Sequence, residues 1–272
     1  VDGTGPSRTA WSAAVHRATH QVLESGTIFA DPLAVTILGD AAALDDPRSA
    51  DRSRMRLFIA ARHGIGARVV DRAVAAGTTQ VVILGAGLDT TAYRPVAPPR
   101  VFEVDHPSTQ EWKQAQLAQV GLEPTSDVAY VGVDFERESF LERLIASGYD
   151  ASLPAVYLWL GVVPYLTASA IAETLSVVGG LPGAELVLDY AAPREHLDDA
   201  DAQARDRAIS KVEAIGEPWL SFFTPPQMRD LLNDNGFGEI DDLTARQAID
   251  RVLGREEIPE QRSAGHIVHA RR

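Results

Sequence analysis

The sequence contains no cysteine. Disulfides, thiolate nucleophiles and cysteine-bound zinc or iron–sulfur centres are therefore excluded. No uninterrupted apolar run approaches the ~20 residues that a membrane helix needs. A cluster of Lys and Arg with interleaved aromatics is also missing, and a formal net charge of −13 would repel a phosphate backbone. Neither a membrane nor a nucleic acid is an expected partner. The first eight residues lack the basic stretch followed by an apolar stretch of a secretory signal, so cytoplasmic residence is the expectation. There is no Gly-x-Ser-x-Gly elbow and no P-loop. His16 and His20 are four apart, as helical metal ligands can be, yet neither a His-Glu-x-x-His pattern nor a third ligand accompanies them, and no metal is expected.

What is present is the profile of an ordinary globular enzyme: 272 residues, 45% of them hydrophobic. No repeat or low-complexity segment is visible. Residues 1–77 read as a helical N-terminal extension, with Ala14, Ala18 and Val22, then Leu57, Ala61, Ile65 and Val69 at helical spacing, broken at Asp31-Pro32 and Asp46-Pro47. Residues 78–272 alternate short β-type runs with helical stretches. The runs are Val81 to Leu84, Val101 to Val104, Tyr130 to Val133, Val156 to Trp159 and Glu185 to Leu188, with a last one near His266-Ile267-Val268. Such alternation predicts an α/β fold, a doubly wound and mainly parallel sheet covered by helices on both faces. A charged helical stretch at residues 194–217 fits poorly as a core element and is expected to be an insertion acting as a lid.

Candidate site residues sit at successive strand ends. Leu84-Gly85-Ala86-Gly87-Leu88-Asp89-Thr90 follows the most apolar strand, where small residues let a ligand approach the backbone or simply allow a tight turn. A dinucleotide fingerprint would carry a third glycine where this chain has Thr90, which disfavours a nicotinamide-dependent oxidoreductase. Asp105 lies 18 residues after Gly87, at the end of the second strand, where a carboxylate can accept both hydroxyls of a ribose. Glu103 points to the same side, so only one of the two need touch it. After the third strand, Asp134 could meet the amino group of an adenine and Phe135 its ring, although an Asp there could equally cap a helix.

Arg62 in Ala60-Ala61-Arg62-His63, the Gly85 segment, Phe102-Glu103-Val104-Asp105-His106-Pro107, Val133-Asp134-Phe135 and Gly161-Val162-Val163-Pro164-Tyr165-Leu166-Thr167 together resemble the leucine carboxyl methyltransferase-like family, over roughly residues 9–272. The resemblance implies a Rossmann-like fold that binds S-adenosyl-L-methionine and releases S-adenosyl-L-homocysteine. It implies that Arg62 pairs with the cofactor's carboxylate, for which a forked guanidinium is suited. Gly85, Ala86 and Gly87 would line the methionine and ribose portion, Asp105 the ribose, Asp134 and Phe135 the adenine, and Arg17 would be a second contact from the helical extension. Much of the family carries Glu where this chain has Leu160, which here lines the cofactor site without a charge.

The implied reaction is O-methylation of a small-molecule acceptor, with carboxyl methyl ester formation favoured, in the manner of natural-product metabolism. An acceptor carboxylate is already ionised near neutral pH and needs no general base. No catalytic residue is singled out, and a hydroxyl acceptor assisted by His106, Tyr165 or Tyr190 is the variant reading. Acceptor contacts are expected from Tyr165, Tyr190, Arg194, Trp219, Phe222 and Phe223, which follow the fourth and fifth strands or the charged insertion. The rival from another class is a fold that binds the cofactor as a sensor or scaffold without methylating, for which Leu160 is the strongest argument. The sequence leaves the acceptor and the oligomeric state open.

Overall fold

Among the described residues three helices precede the sheet, and the first two have their own start signals. α1 (Arg8–Leu23) begins at Ser7, whose hydroxyl accepts the Ala10 amide at 3.0 Å. α2 (Pro32–Leu38) starts with proline in its first turn and with Asp31 accepting the Ala34 amide at 3.2 Å, so the Asp31-Pro32 break is a helix boundary. α3 (Ala50–Ala75) runs for 26 residues. The computed structural model describes residues 7–39, 50–95, 98–133, 139–258 and 262–272, and the Asp46-Pro47 break lies outside them.

Among the described residues one sheet is built from β1 (Gln80–Leu84), β2 (Arg100–Asp105), β3 (Asp127–Gly132), β4 (Ala155–Trp159), β5 (Glu185–Ala191), β6 (Glu239–Thr244) and β7 (Gly265–Arg271). The strand order is β3-β2-β1-β4-β5-β7-β6. β1 to β5 are parallel, and β7 inserts antiparallel between β5 and β6. The chain winds outward from β1 to β3 and then returns to place β4 on the other side of β1. That reversal opens a crevice at the carboxyl ends of β1 and β4. The α/β doubly wound, Rossmann-like architecture is thus the observed one.

Side-chain alternation divides the core. Val82, Leu84, Phe102, Val104, Tyr157 and Trp159 face α5 (Phe140–Ala146), α6 (Ala168–Gly180) and α8 (Pro225–Asp234). Val81, Ile83, Val101, Val156, Leu158 and Val187 face α3, α4 (Pro107–Gln119) and α9 (Ala245–Val252). β1 and β4, covered on both faces, are buried throughout and read as continuous apolar runs. The charged stretch forms a turn at Arg194–His196 and α7 (Asp199–Ala214), in which Ala202 is the buried residue. No helix among the described residues is long and apolar enough to cross a membrane.

The sequence reading differs from the structure at the end of the sheet. β6 is a strand that hydrophobic patterning did not reveal, because Glu239-Ile240-Asp241-Asp242 is an edge with only partial burial. β5 continues past its apolar run through Asp189, Tyr190 and Ala191. Alternation then turns Asp189 toward α3 and Tyr190 into the opposite core.

Beneath the loop after β1, Lys113 and Glu103 are both fully buried and pair at 2.7 Å. Lys113 also donates to the Asp89 carbonyl at 2.7 Å, which fastens the loop to α4. Burial pushes the Glu103 carboxyl up, against the pull of Lys113. Removing one member of such a pair strands the other charge in the interior. Lys113→Ala should therefore lower stability by about 3–5 kcal/mol. Chemical denaturation measures this, and a loss below about 1 kcal/mol would contradict the assignment, since that is the range of an exposed pair.

Candidate functional site

The site grows from the turn after β1. Gly85 has φ +68°, and a Cβ there would lie 2.4 Å from Val162, so only glycine can occupy the turn beneath the β4 loop. The Gly85 and Ala86 amides donate to the Val104 carbonyl at 2.8 and 3.1 Å. The Gly87 amide donates to Asp105 Oδ2 at 2.5 Å, and the His106 amide to Oδ1 at 2.6 Å. Burial pushes the Asp105 carboxyl up, while the two amides oppose the shift. A carboxylate has about four acceptor positions. Two are used by these amides, and the remainder can accept a diol. Glu103 is committed to Lys113, so Asp105 is the member of the Glu103-Val104-Asp105 run that can meet a ligand.

Arg17 is buried, and its hydrogen bonds run to Asp31 Oδ2 at 2.8 Å and to the Leu88 carbonyl at 2.5 Å. Asp31 also accepts from the Thr90 hydroxyl at 3.0 Å. These bonds tie α1, α2 and the β1 turn into one unit, so Arg17 holds the wall of the site. His20 has a comparable structural task, its Nε2 accepting the Ile28 and Phe29 amides at 3.2 and 3.4 Å.

Across the crevice stands Arg62 from α3, buried and paired with Asp189 of β5, Nη1 to Oδ2 at 3.1 Å. Asp189 Oδ1 accepts the Gly161 amide at 2.5 Å. A Cβ at Gly161 would lie 2.6 Å from Arg62 Nη2, so the residue after Leu160 must be glycine for the guanidinium to lie there. Arg62 Nε is buried and has no hydrogen-bond partner among the described residues. Leaving a charged donor unmatched is costly, and an anionic ligand group is the partner that would satisfy it. Leu160 packs into the aliphatic core on the α3 side, beside Gly66.

A third wall is aromatic. The Leu220 and Ser221 amides donate to the Pro164 carbonyl at 2.6 and 3.2 Å, and the Ser221 hydroxyl donates to the Leu166 carbonyl at 2.5 Å. This pins Tyr165 and Trp219 edge to face, with ring centroids 6.4 Å apart, and Phe222 lies 6.3 Å from Trp219. Tyr165 is half-buried in the β4 loop that carries Gly161, and burial pushes its hydroxyl up. The Trp219 N–H lies near that hydroxyl but makes no hydrogen bond of normal geometry.

Three expected acceptor contacts do not join this wall. Tyr190 is buried, donates to Asp242 at 2.7 Å and stacks on His266 at 5.0 Å. It belongs to the β5-β7-β6 core, because strand alternation turns it away from Asp189. Arg194 is exposed and paired with Asp206 of α7. Phe223 packs against the core containing α8. Asp134 and Phe135 lie outside the described residues. Sequence reasoning missed Asp189, which lies near the carboxyl end of β5, and it quoted Gly161 in the resemblance without giving it a role. It also missed Glu217, whose carboxylate accepts the Arg8 and Thr9 amides at 3.0 and 3.2 Å and caps α1 from the far end of the chain. α1 in turn covers the glycine turn, since Ala10 Cβ lies 3.1 Å from where a Cβ on Gly87 would be.

Comparison with known proteins identifies the family. Residues 10–179 match the model of the leucine carboxyl methyltransferase family. A Mycolicibacterium paratuberculosis protein provisionally named an S-adenosyl-L-methionine-dependent methyltransferase is 33% identical over 216 residues, covering 69% of this chain and 68% of its own. A Bacillus subtilis protein of the same provisional name is 30% identical over 218 residues, 75% of this chain and 68% of its own. A solved structure from Thermobifida fusca has a TM-score of 0.57 at 18% identity, over 100% of this chain and 96% of its own. One from Streptomyces avermitilis has a TM-score of 0.57 at 17% identity, over 98% of each chain. At those identities the likeness of the solved structures concerns the fold alone. The family match and the relatives carry the assignment: the chain belongs to the leucine carboxyl methyltransferase family of S-adenosylmethionine-dependent methyltransferases.

Proposed function

We propose that the chain methylates a carboxylate oxygen of a small-molecule acceptor. S-adenosylmethionine, when bound, supplies an electrophilic methyl group on a sulfonium. The residues present suit that molecule at two separated points. The unpartnered Nε of Arg62 suits its carboxylate, and the free acceptor positions of Asp105 suit its ribose. The glycine turn lets the backbone approach between them, with Asp134 and Phe135 assigned to the adenine by family resemblance. Holding donor and acceptor at near-attack distance is worth roughly 7–11 kcal/mol in favourable cases, so positioning can supply much of the catalysis.

The observation that favours a carboxylate acceptor is that, apart from the exposed His106, the candidate bases described around the site are occupied or unsuited. Asp189 is bonded to Arg62 and Gly161. His63 Nδ1 bonds the Ile59 carbonyl at 2.8 Å, and burial holds the ring neutral. His106 is exposed, with Nδ1 turned to Ser108 at 2.8 Å. Burial disfavours the ionised form of Tyr165. A site with occupied bases suits an oxygen that is already anionic.

The test is methyl transfer from labelled S-adenosylmethionine to a panel of small carboxylic acids and phenols. Alkali-labile methyl esters are expected, with retention of activity in Tyr165→Phe. Alkali-stable methyl ethers would favour the hydroxyl reading. Cofactor binding without any product across the panel and cell extracts would favour a binding protein.

We further propose that residues 194–217 cover the acceptor side as a lid, because Glu217 fastens the end of this segment to α1 over the glycine turn. Hydrogen exchange across α7 should slow when S-adenosylhomocysteine binds. Equal exchange with and without it would contradict a lid.

A further inference from the structure

The reading of Arg62 as the holder of the cofactor's carboxylate raises a physical question, because a free arginine side chain has several rotatable bonds and no reason to present one edge. Three observations show what restrains it. Nη1 is the atom turned to Asp189, at 3.1 Å. Gly161 closes against the end of the guanidinium, in a space where a Cβ would stand 2.6 Å from Nη2 and 2.7 Å from Nη1. Asp189 is itself fixed, 3% exposed, with its other oxygen on the Gly161 amide at 2.5 Å. With Nη1 committed, Nε and Nη2 form the edge not bonded to Asp189, and among the described residues Nε is buried without a hydrogen-bond partner. That edge has the spacing of a two-pronged bond to a carboxylate.

We propose that Asp189 is the positioning residue that aims Arg62, so that affinity for ligands with an amino-acid end depends on Asp189 through Arg62. The inference rests on the cofactor reading above. An arginine–aspartate pair is neutral overall, which suits a zwitterionic amino-acid end better than an isolated buried cation would. It also lets Arg62 stay buried without ligand, since an uncompensated guanidinium in the interior would be strongly unfavourable. A purely structural ion pair would serve that second purpose alone, and the two roles separate by experiment.

Calorimetric titration with S-adenosylhomocysteine and with 5′-methylthioadenosine, which lacks the amino-acid end, makes the distinction. Asp189→Ala should weaken S-adenosylhomocysteine binding at least tenfold and change methylthioadenosine binding less than twofold. Asp189→Asn, nearly isosteric and keeping one acceptor oxygen, should show a smaller loss with the same selectivity, and it guards against a folding defect. Arg62→Ala combined with Asp189→Ala should bind S-adenosylhomocysteine no more weakly than Arg62→Ala alone, because a residue acting through another has nothing left to position. Equal weakening of both ligands in the Asp189 variants, or additive losses in the double variant, would overturn the proposal. Native protein that binds both ligands equally well would overturn it while leaving the adenosine site standing. Native protein that binds neither would overturn the cofactor reading and this inference together.

Discussion

The reversal of strand order between β1 and β4 is the constraint on which the rest of this molecule depends. It leaves the carboxyl ends of two parallel strands without a crossover above them, and side chains from both halves of the sheet converge there. Three acidic residues on the α3 face show how such a convergence is made stable. Glu103 is matched by Lys113, Asp105 by two backbone amides, and Asp189 by Arg62 with the Gly161 amide. Burying carboxylates is costly unless each is paired or hydrogen-bonded. The partners differ because the tasks differ. Glu103, fully buried with Oε2 on Lys113, fastens α4 to the turn after β1, whereas Asp105 and the arginine held by Asp189 lie where a ligand can meet them.

The helical extension contributes to this arrangement through backbone as well as side chains. Arg17 and Asp31 fix the Leu88 and Thr90 positions, while α1 lies across Gly87 with its first amides capped by Glu217. A helix N-terminus has unsatisfied donors and a favourable field for a carboxylate. The cap therefore joins the covering helix to the aromatic segment around Trp219. Leu160 packs among the aliphatic residues on the α3 side, and the carboxylate that pairs with Arg62 comes from Asp189 of β5.

Much of this was legible from residue order. β1 and β4 stand out because burial on both faces demands unbroken apolar runs, and the glycine turn and Asp105 follow from their places at strand ends. Other features were illegible for physical reasons. β6 carries Asp241 and Asp242 at an edge, so its pattern is polar although Asp242 is bonded to Tyr190 and His266. The end of β5 could not be set from hydrophobicity, because Asp189 interrupts the run while remaining in the strand. Tyr190 was therefore assigned to the acceptor side and Asp189 received no role, whereas alternation along the extended strand turns Asp189 to the Arg62 face. The Glu217 cap joins residues 208 and 209 apart in sequence, which no local pattern records.

The central claim is that one ligand spans the crevice, with a carboxylate at Arg62 and a ribose at Asp105. A crystal structure with S-adenosylhomocysteine tests it most directly. The account predicts two hydrogen bonds from the Nε and Nη2 edge of Arg62 to the ligand carboxylate, ribose hydroxyls on Asp105, and the Arg62–Asp189 pair intact. A ligand carboxylate turned to solvent, or a ribose held elsewhere than at Asp105, would contradict it.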